Sequence, residues 1–104
     1  MTQFHQVATV AEVSSGSGKE VVVEGKIVAL FDVEGEIFAI DGMCAHAGGP
    51  LGKGCLEGSI ITCPWHGWQY DVVTGKHCLT ENIQQETFAV KVEDGKIFVA
   101  MTTE

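Results

Sequence analysis

Two cysteine–histidine pairs, Cys44-Ala45-His46 and Cys63-Pro64-Trp65-His66, stand sixteen residues apart in a chain of 104. They constrain the fold more than any other feature. Each pair sets one thiolate and one imidazole on a tight turn, and the two turns flank a single strand pair, so they can face each other across one site. A chain of this length is expected to form one domain over residues 1–104. It can bury only about 60–70% of the surface its unfolded form exposes. The pairs must therefore be carried by one modest core, with little left for a substrate pocket and a lid.

The surrounding segments read as an all-β protein. Thr87-Phe88-Ala89-Val90-Lys91-Val92-Glu93 alternates, with Phe88, Val90 and Val92 on one face. Asp94-Gly95 then separates it from Lys96–Met101, a hairpin signal because both turn residues need positive φ. Val21–Glu24, Lys26–Val33 and Glu36–Ile40 repeat the construction around Glu24-Gly25 and Glu34-Gly35. Ser59–Thr62 follows a Glu57-Gly58 turn, and Gln69–Val72 is stopped by Thr74-Gly75. Thr9-Val10-Ala11-Glu12 fits a capping box at the start of one short helical turn. Ser14–Gly18 reads as a surface loop. Asp41–Glu57 shows no strand period and carries five glycines, the signature of a functional loop.

Charge narrows the partners. Six lysines face fourteen acids, arginine is absent, and the formal net charge is −8. Such a chain is poorly suited to hold phosphates, which argues against nucleic acid and anionic membrane surfaces. It suits a partner with a basic patch. No apolar run approaches the roughly 20 residues that span a bilayer. The first six residues lack a basic segment followed by an apolar one, so no secretory signal is expected. The expected location is cytoplasmic, where cysteines stay reduced or bind metal.

Two Cys and two His can close a tetrahedral zinc site. They can equally bind a [2Fe–2S] cluster, with the cysteines on one iron and the histidines on the other. Structural zinc sites usually group like ligands, Cys with Cys and His with His. Here each turn is mixed, as expected if each turn sends one ligand to each iron.

The run Cys63-Pro64-Trp65-His66-Gly67-Trp68-Gln69-Tyr70-Asp71, paired with Cys44-Ala45-His46, resembles the signature of Rieske iron–sulfur proteins. His46–Leu51 and Val73–Lys76 also resemble the family, and the likeness covers essentially the whole chain. It is greatest to the small Rieske ferredoxins of bacterial ring-hydroxylating oxygenase systems. The resemblance implies a Rieske fold of three small antiparallel sheets, with one cluster per chain at the tip of two loops. It implies that Cys44 and Cys63 bind the inner iron and His46 and His66 the outer one. Gly48, Gly49 and Gly67 match positions where backbone N–H groups approach the bridging sulfides. The implied function is a one-electron carrier, not itself an oxygenase. Its implied partners are a flavin-containing NAD(P)H-dependent ferredoxin reductase and a terminal oxygenase, and the chain is expected to be a monomer. The small subunit of assimilatory nitrite reductase shares this fold and is the alternative.

With two ferric ions, two sulfides, two thiolates and neutral imidazoles, an oxidised Rieske cluster is electrically neutral. It therefore accepts an electron more easily than a four-cysteine cluster. The respiratory members have two further cysteines, which match Gly49 and Trp65 here, so their disulfide is absent. Of their two hydroxyl donors to the cluster, the serine matches Trp68 and the tyrosine is kept as Tyr70. One lost donor implies a lower potential. The proline-rich third loop of many relatives is replaced by Leu79-Thr80-Glu81-Asn82.

The remaining candidates have plain readings. Cys55 and Cys78 are expected as small buried hydrophobes without a disulfide. His5 and His77 are expected in solvent. Trp65 is expected over the cluster or on the docking surface, with Pro50-Leu51 and Trp68 open between core and surface. Asp71 is expected to hold its turn.

Overall fold

The computed structural model describes residues 2–13, 18–43, 50–65, 67–78 and 83–102. Three of the four acidic-glycine turns expected from the sequence have positive φ at both residues. Glu24, Glu34 and Asp94 have φ of 51°, 52° and 52°, and the glycines after them 80°, 89° and 74°. Two successive positive-φ residues match the twist of the strands they join. Glu24-Gly25 and Glu34-Gly35 connect β2 (Gly18–Val23), β3 (Lys26–Val33) and β4 (Glu36–Asp41) into one meander, and Asp94-Gly95 joins the last two strands.

The strand predicted over Thr87–Glu93 is split. β8 (Thr87–Phe88) pairs with β4, whereas β9 (Val90–Glu93) pairs with β10 (Lys96–Thr102). Between them Ala89 leaves both ladders, and its carbonyl accepts the Ala100 N–H at 2.9 Å. Phe88 and Val90 are half-buried, but Val92 is 46% exposed and joins no core. Two further strands had no clear period in the sequence. β1 (Thr2–Thr9) is held by β10, with a register shift between Gln6 and Ala8 that interrupts its alternation. β5 (Cys55–Glu57) pairs with β6 (Ile60–Thr62), which pairs with β7 (Gln69–Asp71). The result is three antiparallel sheets in the orders β1-β10-β9, β2-β3-β4-β8 and β5-β6-β7.

The four-stranded sheet is the shared wall between two cores. Along β3, Val28 and Leu30 enter the first core, while Ala29 and Phe31 enter the second. Along β4, Ile37 and Ala39 face the first and Ile40 the second. A strand buried on both faces has no polar alternation, which is why Ile27–Phe31 reads as one apolar run. The first core is closed by Ile97 and Val99 of β10, with Ala8, Val13 and Val23. The second is closed by Leu51, Leu56, Ile61, Cys63, Tyr70 and Val72.

The expected N-terminal turn forms at Val10–Glu12 as a short 3-10 helix. The Glu12 carboxylate accepts the Thr9 N–H at 2.7 Å and the Thr9 hydroxyl at 3.1 Å. The loop expected at Ser14–Gly18 ends earlier, because Gly18 already belongs to β2. A Cβ there would lie 2.5 Å from Cε1 of Phe31. Residues 14–17 lie outside the described residues.

Candidate metal centre

Cys63 follows directly on β6, and its N–H donates to the Trp68 carbonyl at 2.7 Å just before β7. Cys63, Pro64, Trp65, Gly67 and Trp68 thus belong to the turn of the β6–β7 hairpin. Cys63 faces inward at 1% exposure, and the Trp65 N–H points at its sulfur at 3.4 Å. Pro64, Trp65 and Gly67 form the outer side of the turn and are exposed, Trp65 by 49%. Gly67 takes φ 73°, which brings the chain back toward β7 with no Cβ to place. An inward thiol bonded by a backbone amide suits a thiolate ligand, since a charge-assisted N–H···S bond lowers its negative charge. The donor chemistry fits a [2Fe–2S] cluster. His66, Cys44, His46, Gly48 and Gly49 lie outside the described residues.

The segment that carries Cys44 and His46 is pinned at both ends. Met43 and Pro50 form an antiparallel bridge, and the Leu51 N–H donates to the Gly42 carbonyl at 2.9 Å. Gly42 donates to the Ile27 carbonyl at 2.9 Å, and the Asp41 carboxylate accepts the Met43 N–H at 3.0 Å. Leu51 is fully buried, so of the Pro50-Leu51 pair the leucine is core and the half-buried proline sits above it. Part of the glycine content here serves packing. Gly42, Gly52 and Gly54 press on Ile27, Glu20 and the Thr62 carbonyl, where a Cβ would collide.

A residue absent from the sequence-based candidates ties these parts together. Gln85 is 4% exposed, and its Nε2 donates to the carbonyls of Asp41 at 3.0 Å and Met43 at 2.6 Å. Its partners lie 44 and 42 positions away, so no local signal marks it. Glu86 extends the same strap. Its carbonyl accepts the Asp41 N–H at 2.8 Å, and its carboxylate accepts from Lys26 Nζ at 2.6 Å. The bond to Glu86, ahead of the cost of burial, raises the Lys26 pKa above its ordinary value.

Several expectations are corrected. His77 is buried, with its ring edge-on to Trp68 at 4.7 Å and to Tyr70 at 5.2 Å. The turn lysine before it is exposed, but the chain then crosses β7 and His77 pairs with Tyr70. Cys55 and Cys78 are exposed, not buried, and both are free thiols. Cys55 alternates with buried Leu56 on an edge strand, which turns it outward. His5 is half-buried, with Nε2 3.5 Å from a Glu24 carboxylate oxygen. Trp68 is half-buried against the second core, and Tyr70 is fully buried there. Asp71 holds its turn as expected, since its carboxylate accepts the Val73 N–H at 2.9 Å. The Leu79–Asn82 replacement for a third loop lies outside the described residues.

The fold and the inward cysteine turn are compatible with an iron–sulfur protein, and the family match makes it one. The Rieske [2Fe–2S] domain matches residues 3–93, and the chain belongs to that family. It carries a Rieske [2Fe–2S] cluster and acts as a ferredoxin, an electron carrier and not itself an oxygenase. It is 37% identical to the ferredoxin component of the naphthalene 1,2-dioxygenase system of Pseudomonas putida, over 93% of this chain and 94% of that one. Its structure is similar to that of the Sphingomonas yanoikuyae B1 ferredoxin. The TM-score is 0.87 and the identity 31%, over 96% of this chain and all of that one. A Mycobacterium tuberculosis protein, named for the small subunit of an NADH-dependent nitrite reductase, has a TM-score of 0.90 at 18% identity. It covers 100% of this chain and 99% of that one, and the likeness is one of fold alone.

Proposed function

We propose that the cluster is held by Cys44 and Cys63 on the inner iron and by His46 and His66 on the outer iron. Bound there, it supplies a reversible one-electron store. The observation that carries this reading is the β6–β7 turn. It buries the Cys63 sulfur against a backbone donor and leaves Pro64, Trp65 and Gly67 on the surface. The chain's own work is to keep water from the thiolate side, aim N–H donors at sulfur, and present the histidine side to a partner. Trp65 and Pro64 offer that partner an apolar contact.

The electron would arrive from a flavin-containing NAD(P)H-dependent reductase and leave for a terminal oxygenase of the aromatic dioxygenase type. The naphthalene relative, a ferredoxin component of a dioxygenase system, supports an oxygenase as the acceptor. The chain would work as a monomer in the cytoplasm, where its two exposed free thiols, Cys55 and Cys78, stay reduced. Among the described residues no helix is long and apolar enough to cross a membrane. With a net charge of −8, encounter should be steered by basic patches on the partners.

The test is stopped-flow oxidation of the reduced protein by a purified terminal oxygenase at rising ionic strength. Single-turnover electron transfer whose rate falls with salt is expected. No transfer to an oxygenase that accepts electrons from its own ferredoxin would overturn the assignment of the acceptor.

A further inference from the structure

We propose that Gln85 is a positioning residue for the cluster: its side-chain amide sets the first ligand loop against the second. The proposal rests on the ligand assignment above. A primary amide has two donors. Both are spent on one short segment, the Asp41 and Met43 carbonyls, at 3.0 and 2.6 Å. Met43 is covalently joined to Cys44, so one of these bonds acts on the residue next to a proposed ligand.

The other side of the strap reaches the second loop. The Gln85 N–H donates to the Gly75 carbonyl at 2.6 Å, and the Gly75 N–H donates to Asp71, the last residue of β7, at 2.7 Å. β7 is the strand that leaves the Cys63–Trp68 turn. A Cβ on Gly75 would run into the Gln85 carbonyl oxygen, so glycine is needed for the approach. One buried residue therefore connects the base of one loop to the strand supporting the other.

Main-chain pairing alone could not do this. β4 pairs with β8 only through Ala39 and Ile40, and the chain must then leave the ladder to form the loop. Beyond that point the Asp41 N–H still finds the Glu86 carbonyl at 2.8 Å. Past that ladder, the Asp41 and Met43 carbonyls both accept from the glutamine side chain. A glutamine that merely filled space could be exchanged for methionine, which matches its volume. One that positions the loop could not.

The test uses the holoprotein, with Gln85→Met removing both donors and Gln85→Asn keeping them on a stem one methylene shorter. Three quantities are measured: iron release to a chelator, the electron paramagnetic resonance of the reduced protein, and thermal unfolding of holo and apo forms. Gln85→Met should release iron about tenfold faster, equivalent to about 1.4 kcal/mol, and show broadened resonance lines. Gln85→Asn should fall between it and the wild type, and stands alone if the methionine variant does not fold. Wild-type release and line shape in the variants, even with lower thermal stability in both forms, would overturn the proposal. A wild-type protein whose spectrum excludes mixed Cys/His ligation would overturn the ligand assignment first, and this inference with it.

Discussion

The two cores share β3 and β4 yet are held together by different means. The buried residues of the first are all aliphatic: Val28, Leu30, Ile37, Ala39, Ile97 and Val99, with Ala8, Val13 and Val23. Its strands run to eight residues and meet through two-residue turns. The second contains Phe31, Cys63 and Tyr70, and its own sheet has three strands of three residues each. Strands that short contribute few ladder bonds. Side-chain and loop bonds make up the difference, from Gln85, Asp41 and Asp71. One region is stabilised mainly by apolar burial, the other by burial together with hydrogen bonds and metal ligation. That division suits an electron carrier, because the ligand loops need a rigid wall behind them and a surface in front.

The strongest way to break the comparison is to remove a ligand. Cys63→Ser should abolish the visible absorption of the cluster, and metal loss should loosen the region that binds it. Hydrogen exchange should accelerate at least about tenfold in β5, β6 and β7 while β9 and β10 stay protected, since local opening follows local stability. Equal acceleration in all of them would mean that the two cores unfold as one.

Leu30 and Phe31 are adjacent, fully buried and on opposite faces, so they sharpen the comparison at a single point of the wall. Leu30→Ala should cost about 2–5 kcal/mol and Phe31→Ala about 3–5 kcal/mol by cavity formation. Chemical unfolding gives these values. Only Phe31→Ala should also speed cluster loss, and identical loss rates would show that the wall transmits strain equally to both sides.

A smaller effect is expected at the fully buried Tyr70, which matches the tyrosine that donates its hydroxyl to the cluster in the respiratory members. Loss of one hydrogen bond of about 1–1.5 kcal/mol converts to a potential lowered by about 40–60 mV in Tyr70→Phe. Protein-film voltammetry at fixed pH measures it. An unchanged potential would assign Tyr70 to packing alone.

The smallest effect belongs to the first region. The Glu12 pKa is lowered from 4.5, first by the Thr9 N–H and then by its hydroxyl. A depressed carboxylate stabilises the fold above its unfolded value. That contribution fades as pH falls from there through the lower folded value. Urea midpoints of wild type and Glu12→Gln should therefore differ near neutral pH and converge in acid. A gap that persists at low pH would assign the loss to the changed side chain and not to its charge.

The three acidic-glycine turns, the strands they join and the Thr9–Glu12 turn were legible because each depends on residues within four positions. The motif of mixed cysteine–histidine pairs was equally plain, and the structure buries the Cys63 sulfur beside the Trp65 N–H. Neighbours distant in sequence misled the reading elsewhere. Thr87–Glu93 alternates as one strand, but two different sheets claim its halves. β1 and β5 have weak patterns and exist because β10 and β6 offer them open edges. His77 lost its expected place in solvent to the packing of Trp68 and Tyr70.

Thus the sequence by itself determined the β class, the hairpin turns and the thiolate–imidazole chemistry of the motif. These follow from backbone preference and from the few metals that a thiolate–imidazole set will hold. Tertiary structure alone decided which face of the β3 run meets which core, that Gly42, Gly52 and Gly54 serve packing, and that Gln85 bridges the two loops. Each of these depends on atoms brought together from far along the chain, and a buried amide finds its acceptors only after both cores have closed around it.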